Sequence, residues 1–86
     1  MHRFHVYEAS PKSEEIAVMD NRGRCHIART SGLAPPTGTE LDGPRGGQGL
    51  VRLQCTATGK LFRVAFVKLD CDMQSTIERF HPEITL

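Results

Sequence analysis

The chain has 86 residues, of which 38% are apolar and 24% charged, with a formal net charge of +1. These values predict one globular domain over residues 1–86, and they exclude a disordered tail and a strongly basic nucleic-acid arm. A chain this short buries only about 60–65% of the surface that its unfolded form exposes. Closure of a barrel or dimerisation would therefore help to stabilise its thin core.

The cysteines and the N-terminus indicate the cellular compartment of the protein. Cys25, Cys55 and Cys71 are odd in number and irregularly spaced, which predicts reduced thiols rather than a disulfide framework. The N-terminus lacks the apolar segment of a signal peptide, and no apolar run approaches the roughly 20 residues of a membrane helix. We therefore expect a cytoplasmic protein without a membrane partner.

Along the chain, short stretches of apolar residues predict strands, and clusters of glycine, proline and asparagine predict the turns between them. The predicted strands span 3–8, 16–19, 24–29, 38–43, 50–55 and 60–69. The glycine-rich segment 43–49 is predicted to be a loop. It lacks the Gly-Lys-Ser/Thr signature of a phosphate-binding loop, so its glycines indicate flexibility and no nucleotide site.

The C-terminal segment has a different periodicity. Met73, Ile77 and Phe80 are spaced as on one face of a helix, and Asp72 is a suitable N-cap. Pro82 would end the helix. A helix of about two turns is too short to be stable alone, so we expect it to pack on the sheet.

The second-last turn, 56–59, sets the register of the strands on either side. A four-residue loop places Leu53 opposite Phe62 and Val51 opposite Val64, with the apolar side chains on one face. A three-residue loop would move the large apolar side chains of the last strand to the opposite face. The hydrophobic pattern therefore predicts four residues in this turn.

The same reasoning applied to turn 20–23 predicts Val18 opposite Cys25 and Ile16 opposite Ile27. The two hairpins together define a core. Its predicted members are Phe4, Val6, Ile16, Val18, Cys25, Ile27, Leu41, Val51, Leu53, Phe62, Val64 and Phe66, with Ile77 and Phe80 from the helix.

Five to six short antiparallel strands with a C-terminal α-helix predict a mostly β fold, a small barrel that resembles the OB-fold or the SH3-like barrel. The turn-strand-turn pattern Gly38-x-x-Leu41-x-Gly43 is typical of such barrels. This is a resemblance to a fold and to no particular family. It carries little information about function.

The opposite face of the same strands is predicted to be basic and to lack acidic residues. Its predicted members are Arg3, His5, Tyr7, Arg24, His26, Arg52, Gln54 and Arg63, with Arg45 and Lys60 on flanking loops. Arg52 is expected directly opposite Arg63, a repulsion that an anion between the two side chains would relieve. The pattern predicts a non-enzymatic binding module for single-stranded RNA or DNA, with Tyr7, His5 and His26 as stacking surfaces.

Two alternatives remain open. Solvent-facing strand positions commonly carry arginine, so the basic face is also typical of a solvated surface without a ligand. The runner-up function is a protein-interaction or homodimerising module that uses a strand edge or the helix. Salt-sensitive binding that depends on Arg52 and Arg63 would favour nucleic acid.

Catalytic and metal chemistry find little support in the sequence. His2 and His5 have a spacing seen in zinc ligands, but residues three apart on a strand point to opposite faces. There is no Cys-x-x-Cys, no nucleophile elbow and no phosphate-binding lysine motif. We therefore expect no catalytic residue, metal or cofactor.

Overall fold

The computed structural model describes residues 2–10, 12–44 and 50–81. Across these residues the chain forms six strands and one helix: β1 (His2–Ser10), β2 (Glu15–Asp20), β3 (Cys25–Thr30), β4 (Glu40–Gly43), β5 (Leu50–Cys55), β6 (Leu61–Cys71) and α1 (Met73–Phe80). The strands form a closed antiparallel barrel in the order β1-β2-β3-β6-β5-β4. The prediction of a mostly β barrel with a short C-terminal helix is confirmed. The predicted stop at Pro82 and most of the predicted loop 43–49 lie outside the described residues.

The barrel interior is filled by apolar side chains that alternate along the strands. The core cluster contains Phe4, Val6, Ile16, Val18, Ala28, Leu41, Leu53, Cys55, Phe62, Val64 and Phe66. Most of the predicted core is confirmed. Val51 and Phe80 are only half-buried, and Ile77 is exposed.

The predicted register of the β5–β6 hairpin is confirmed. Leu53 lies opposite Phe62 and Val51 opposite Val64. The Cys55 N–H donates to the Lys60 carbonyl at 2.8 Å, which closes a four-residue loop. Gly59 has a φ of 76°, a left-handed conformation that glycine adopts without strain.

The predicted register of the β2–β3 hairpin is wrong by one residue. Val18 lies opposite His26 and Ile16 opposite Ala28. The Asp20 N–H donates to the Arg24 carbonyl at 2.9 Å, so the loop has three residues, 21–23. The Asp20 carboxylate stabilises this tighter loop because it accepts the backbone N–H groups of Arg22 and Arg24 at 2.9 and 3.0 Å.

The observed register leaves no large apolar side chain of β2 or β3 exposed, because both faces of these two strands are covered. One face lines the barrel, while Ala17, Cys25 and Ile27 point away from the barrel interior and are nevertheless buried. Helix α1 packs against β1 and β3 on this outer side. The outward-facing apolar residues of β2 and β3 therefore form a second, smaller apolar layer on the side of the barrel that the helix covers.

The predicted N-cap of α1 is confirmed: the Asp72 carboxylate accepts the Ser75 N–H at 2.6 Å. A bidentate ion pair fastens the other end, because the Arg79 guanidinium donates to both oxygens of buried Glu15 at 2.8 and 2.7 Å. The hydrogen bond from Arg79 lowers the pKa of Glu15. Within the described residues, no helix has the length and apolar character needed to cross a membrane.

Strands β4 and β5 approach closely at Gly43. A Cβ atom at this position would lie 2.4 Å from Leu53 Cδ2 and 3.0 Å from the Arg52 carbonyl oxygen. Only glycine fits here without displacing a neighbour. Gly43 therefore allows the short β4 to pack against the centre of β5.

Candidate binding face

Strands β1 and β4 bring two predicted binding residues next to acidic partners. Arg3 lies opposite Asp42, and His5 lies opposite Glu40. The Arg3 Nε donates to Asp42 Oδ1 at 2.5 Å, and His5 Nδ1 lies 2.9 Å from Glu40 Oε1. The hydrogen bond and the charge of Asp42 raise the pKa of Arg3. The expectation that this outer face lacks acidic residues is therefore wrong for the β1–β4 wall.

Arg24, just before β3, and His26, on β3, also contact acidic residues. Arg24 Nη1 lies 3.3 Å from Asp70 Oδ1. His26, predicted on the outer face, is fully buried in the interior as a consequence of the one-residue slip in register. Its role as an exposed stacking surface is therefore ruled out by its position.

A buried hydrogen-bond network holds His26. Its Nδ1 accepts the Asp70 N–H at 3.0 Å, so its Nε2 carries the ring proton and donates to Asp20 Oδ2 at 2.8 Å. Burial alone would raise the pKa of Asp20. Hydrogen bonds from His26 and from the backbone N–H groups of Arg24 and Arg22 outweigh burial and lower that pKa to about 2.

Tyr7 is half-buried, with its hydroxyl group turned inward. It lies at a bulge in β1 between Val6 and Glu8. Its hydroxyl oxygen is buried and makes no hydrogen bond of normal geometry to any described residue. Burial, followed by the neighbouring Cys25 thiol, raises the pKa of Tyr7. Arg45 lies outside the described residues.

The remaining predicted cations lie on or beside the hairpin of β5 and β6. Arg52 and Arg63 are directly opposed and exposed, and neither forms an ion pair within the described part of the chain. Lys60 lies with its Nζ 5.6 Å from the centroid of the Phe62 ring. Gln54 donates to the Gly59 carbonyl at 3.2 Å.

Exposed apolar side chains flank this arginine pair. Leu50 lies opposite Ala65 on one side, and Leu61 lies opposite Gln54 on the other. We call this surface the β5–β6 face; its members are Leu50, Arg52, Gln54, Leu61, Arg63 and Ala65, continued along β6 by Val67. A shallow depression of about 280 Å³ lies among Leu50, Val51, Arg52 and Arg63.

A second depression, of about 350 Å³, lies at the end of the barrel near Cys55. It is lined by Leu33, Ala34, Pro36, Thr39, Cys55, Thr58, Lys60 and Phe62. Hydrogen bonds from the Thr58 hydroxyl and from the N–H groups of Thr58 and Ala57 lower the pKa of Cys55. A thiolate at this position is therefore stabilised by the turn that follows β5.

The described residues contain no cluster of side chains suited to bind a metal ion. No group of three His, Cys, Asp or Glu side chains there could hold a metal ion. Comparison with known proteins gives no further assignment: the chain matches no family model, no curated protein and no solved structure. The candidate site thus depends on the geometry of the β5–β6 face alone.

The sequence reasoning overlooked the leucines of this face. The confirmed register of β5 and β6 places Leu50 and Leu61 on the same side as Arg52 and Arg63, because side chains two apart share a face. The alternation was therefore a sufficient signal. The acidic partners of β1 left no such signal, because they come from a strand more than 30 positions away along the chain.

Proposed function

We propose that this protein is a non-enzymatic interaction module whose β5–β6 face binds an acidic segment of another protein. The observation that carries the proposal is the position of Arg52 and Arg63, which are directly opposed on β5 and β6 and form no ion pair within the described residues. Arg52 and Arg63 lie between two exposed leucines, and Asp42, which borders the face opposite Gln54, is already paired with Arg3. Such a surface is complementary to a chain segment with a carboxylate between apolar side chains.

The apolar part of the face supports contact with a protein. Leu50 is 68% exposed, Leu61 57% and Val67 47%. Isolated exposed apolar residues are common, but these three lie along two adjacent strands around the same arginines. Arginine is enriched in protein interfaces because it combines an apolar stem with several hydrogen-bond donors. Burial of these side chains would supply affinity, and the arginines would supply specificity.

The charge of the face argues against a symmetric dimer through it. A two-fold interface places the same patch against itself. Arg52 and Arg63 of two copies would then converge without a carboxylate from the face to separate them, and like charges at an interface are unfavourable. The fitting occupant is therefore a different, acidic protein.

Closure of the barrel indicates how such a partner would bind. β1 pairs with both β2 and β4, so the sheet has no free outer strand. A partner strand cannot extend a closed sheet by backbone hydrogen bonding, as it does at an open edge. Recognition would thus depend on the side chains of the β5–β6 face.

Single-stranded nucleic acid is the second candidate, and the opposed arginines are the observation that favours it. A phosphate between Arg52 and Arg63 would relieve their mutual repulsion. However, the described part of the face carries no exposed aromatic ring on which a base could stack. An oligonucleotide would therefore be held by its phosphates alone, with strong dependence on salt.

Affinity capture with matched variants tests the first proposal. The baits are the wild-type protein, Arg52→Glu/Arg63→Glu, Leu50→Ser/Leu61→Ser and the control Lys12→Glu, which changes an exposed charge outside the face. We expect a protein retained by the wild type and Lys12→Glu whose affinity falls at least tenfold in both face variants. Arginine substitutions in its acidic segment should restore binding to Arg52→Glu/Arg63→Glu. Equal retention by all four baits would refute the proposal.

Fluorescence anisotropy with labelled 15-nucleotide dT and rU at low and physiological salt tests the second candidate. Micromolar binding that weakens with salt and disappears in Arg52→Gln/Arg63→Gln would replace the protein partner with nucleic acid. Sedimentation of the wild-type protein over a concentration series tests self-association. A dimer abolished by Leu50→Ser/Leu61→Ser would contradict the argument from like charge.

A further inference from the structure

Two of the three cysteines face each other across the barrel wall. Cys25 on β3 is the direct register partner of Cys71 on β6. Directly opposed residues of antiparallel strands have Cα atoms about 4.5–5.5 Å apart and side chains on the same face. A disulfide requires a Cα separation of about 4.4–6.8 Å, which is the spacing of regular opposed pairs; the β3–β6 register shifts only after Cys25, between Cys25 and Ile27.

The surroundings of the pair are those of a protected but reachable thiol site. Cys25 is 5% exposed and Cys71 is half-buried. Both thiols, and the Thr76 hydroxyl of α1, lie near enough to the Tyr7 hydroxyl to affect its pKa. Cys71 Sγ lies 3.7 Å from the Lys68 carbonyl oxygen, a weak contact that a disulfide would replace.

We propose that Cys25 and Cys71 are a reversible redox pair that forms a cross-strand disulfide on exposure to a peroxide. This modification is independent of the β5–β6 face. It concerns the outer layer where α1 meets β1 and β3. The proposal refines the sequence-based expectation, in which all three cysteines are reduced: the pair is reduced at rest and oxidisable.

With hydrogen peroxide the chemistry balances in two steps. The more accessible Cys71 thiolate attacks one peroxide oxygen, the O–O bond breaks, and the released hydroxide takes a proton to give water and a sulfenic acid. The Cys25 thiolate then attacks the Cys71 sulfur; the S–S bond forms, the S–O bond breaks, and the leaving hydroxide takes a proton to give a second water. Peroxide is reduced by two electrons, and the two thiols are oxidised to one disulfide.

The setting of Cys71 predicts the pH dependence of the first step. Burial raises the pKa of Cys71, so little thiolate is present at neutral pH. The oxidation rate should therefore rise about tenfold from pH 7 to pH 8, because the thiolate is the nucleophile and its fraction rises by that factor. Oxidation at neutral pH would be slow, as expected for a pair that stays reduced unless oxidant persists.

The disulfide would also constrain the fold. It joins the β2–β3 hairpin to the residue just before the N-cap of α1, and it closes a long loop through the rest of the barrel. Closing a long loop restricts the unfolded chain and stabilises the folded state. We expect the Tm to rise by at least about 5 °C on oxidation and to return on reduction.

The experiment uses the full chain with Cys55→Ser, which removes the third thiol. The protein is oxidised with hydrogen peroxide, alkylated with N-ethylmaleimide and mapped by mass spectrometry without reduction; the Tm is measured in parallel. We expect a Cys25–Cys71 cross-linked peptide and the rise in Tm, both reversed by dithiothreitol. In Cys55→Ser/Cys71→Ser the rise in Tm should be absent.

Several outcomes would overturn the proposal: alkylation of both thiols after oxidation, Cys71 carried to sulfinic acid while Cys25 stays free, or disulfides only between molecules. If Cys55→Ser impairs folding, the same mapping is carried out on the wild-type chain. There the pairing of Cys55 with either other cysteine, in place of Cys25 with Cys71, would refute it.

Discussion

The β1–β4 and β5–β6 walls of the barrel differ in what lies opposite their exposed basic side chains. On the β1–β4 wall, both predicted binding residues lie opposite a carboxylate: Arg3 faces Asp42, and His5 faces Glu40. On the β5–β6 wall, Arg52 faces Arg63, with leucines on either side. The side chains of the first wall therefore find acidic partners within the protein, whereas Arg52 and Arg63 find none among the described residues.

This difference shows why a count of basic residues on one side of a sheet is a weak guide to function. Cross-strand pairing decides whether a charge is satisfied within the protein or available to a ligand. Of the predicted binding residues, Arg3, His5 and Arg24 have acidic neighbours and His26 is buried. Among the predicted binding residues that the structure describes, the cations without an acidic partner therefore lie on or beside the β5–β6 face.

The largest effect is expected where the two walls meet, at Gly43. Gly43→Ala would place a methyl group against Leu53 Cδ2 and the Arg52 carbonyl, so the Leu53 side chain or the backbone of β4 or β5 must shift. We expect a loss of about 2 kcal/mol in the free energy of unfolding, the range of an overpacked core. Urea denaturation measures it. Gly38→Ala, at a glycine with open space around it but a φ of 95°, is the control for backbone strain alone.

The next effect separates exposed from buried charge pairs. The pKa of Asp20 is lowered from 3.8 to about 2, so its contribution to stability is complete above about pH 4 and is lost as the pH falls to about 2. The difference corresponds to about 2 kcal/mol. Denaturation midpoints measured from pH 5 to pH 2 should show this loss in the wild type.

Asp20→Asn should make the protein less stable at pH 5 and flatten its acid dependence, because the titrating group is absent. The matched control is Asp42→Asn on the β1–β4 wall, whose carboxylate is partly exposed and screened by solvent. An equal flattening in Asp42→Asn would show that the exposed wall, and not the buried pair, governs the acid response.

The smallest effects are opposite in sign on the two walls. Arg63→Glu places a carboxylate opposite Arg52 and should raise the Tm by about 1–2 °C, whereas Asp42→Arg creates a like-charge pair with Arg3 and should lower it by a similar amount. Differential scanning fluorimetry at low salt and at 1 M NaCl measures both shifts. Both should shrink at high salt, since the charges are exposed. Destabilisation by Arg63→Glu would mean that Arg52 and Arg63 do not repel each other in the folded protein.

The sequence was sufficient for the β5–β6 hairpin because its apolar residues alternate. Leu53 and Phe62 can be buried together in only one register, and a slip would expose them. The same test failed for β2 and β3. There Ile16, Ala17 and Val18 are all buried, so shifting the register by one residue exchanges one buried face for another.

The decisive information for the β2–β3 turn lay in the Asp20 side chain, whose hydrogen bonds to the backbone favour a three-residue loop. The helix was predictable because its cap and its spacing are local. The ion pairs of the β1–β4 wall depend on strands far apart in the chain, and no local pattern reports which residues those strands will oppose.

The strand order has a consequence for how the barrel is reached from the unfolded chain. The β2–β3 and β5–β6 hairpins join near neighbours, but Arg3 meets Asp42 across 39 positions and Asp70 meets His26 across 44. The entropy lost in closing such long loops precedes the contacts that compensate for it, so small β-barrels with many distant pairings fold slowly. We expect the two hairpins to form first and the β1–β4 and β3–β6 seams to join last. Until those seams close, the chain exposes the strand edges that the folded barrel lacks, and its risk of aggregation is therefore greatest in this interval.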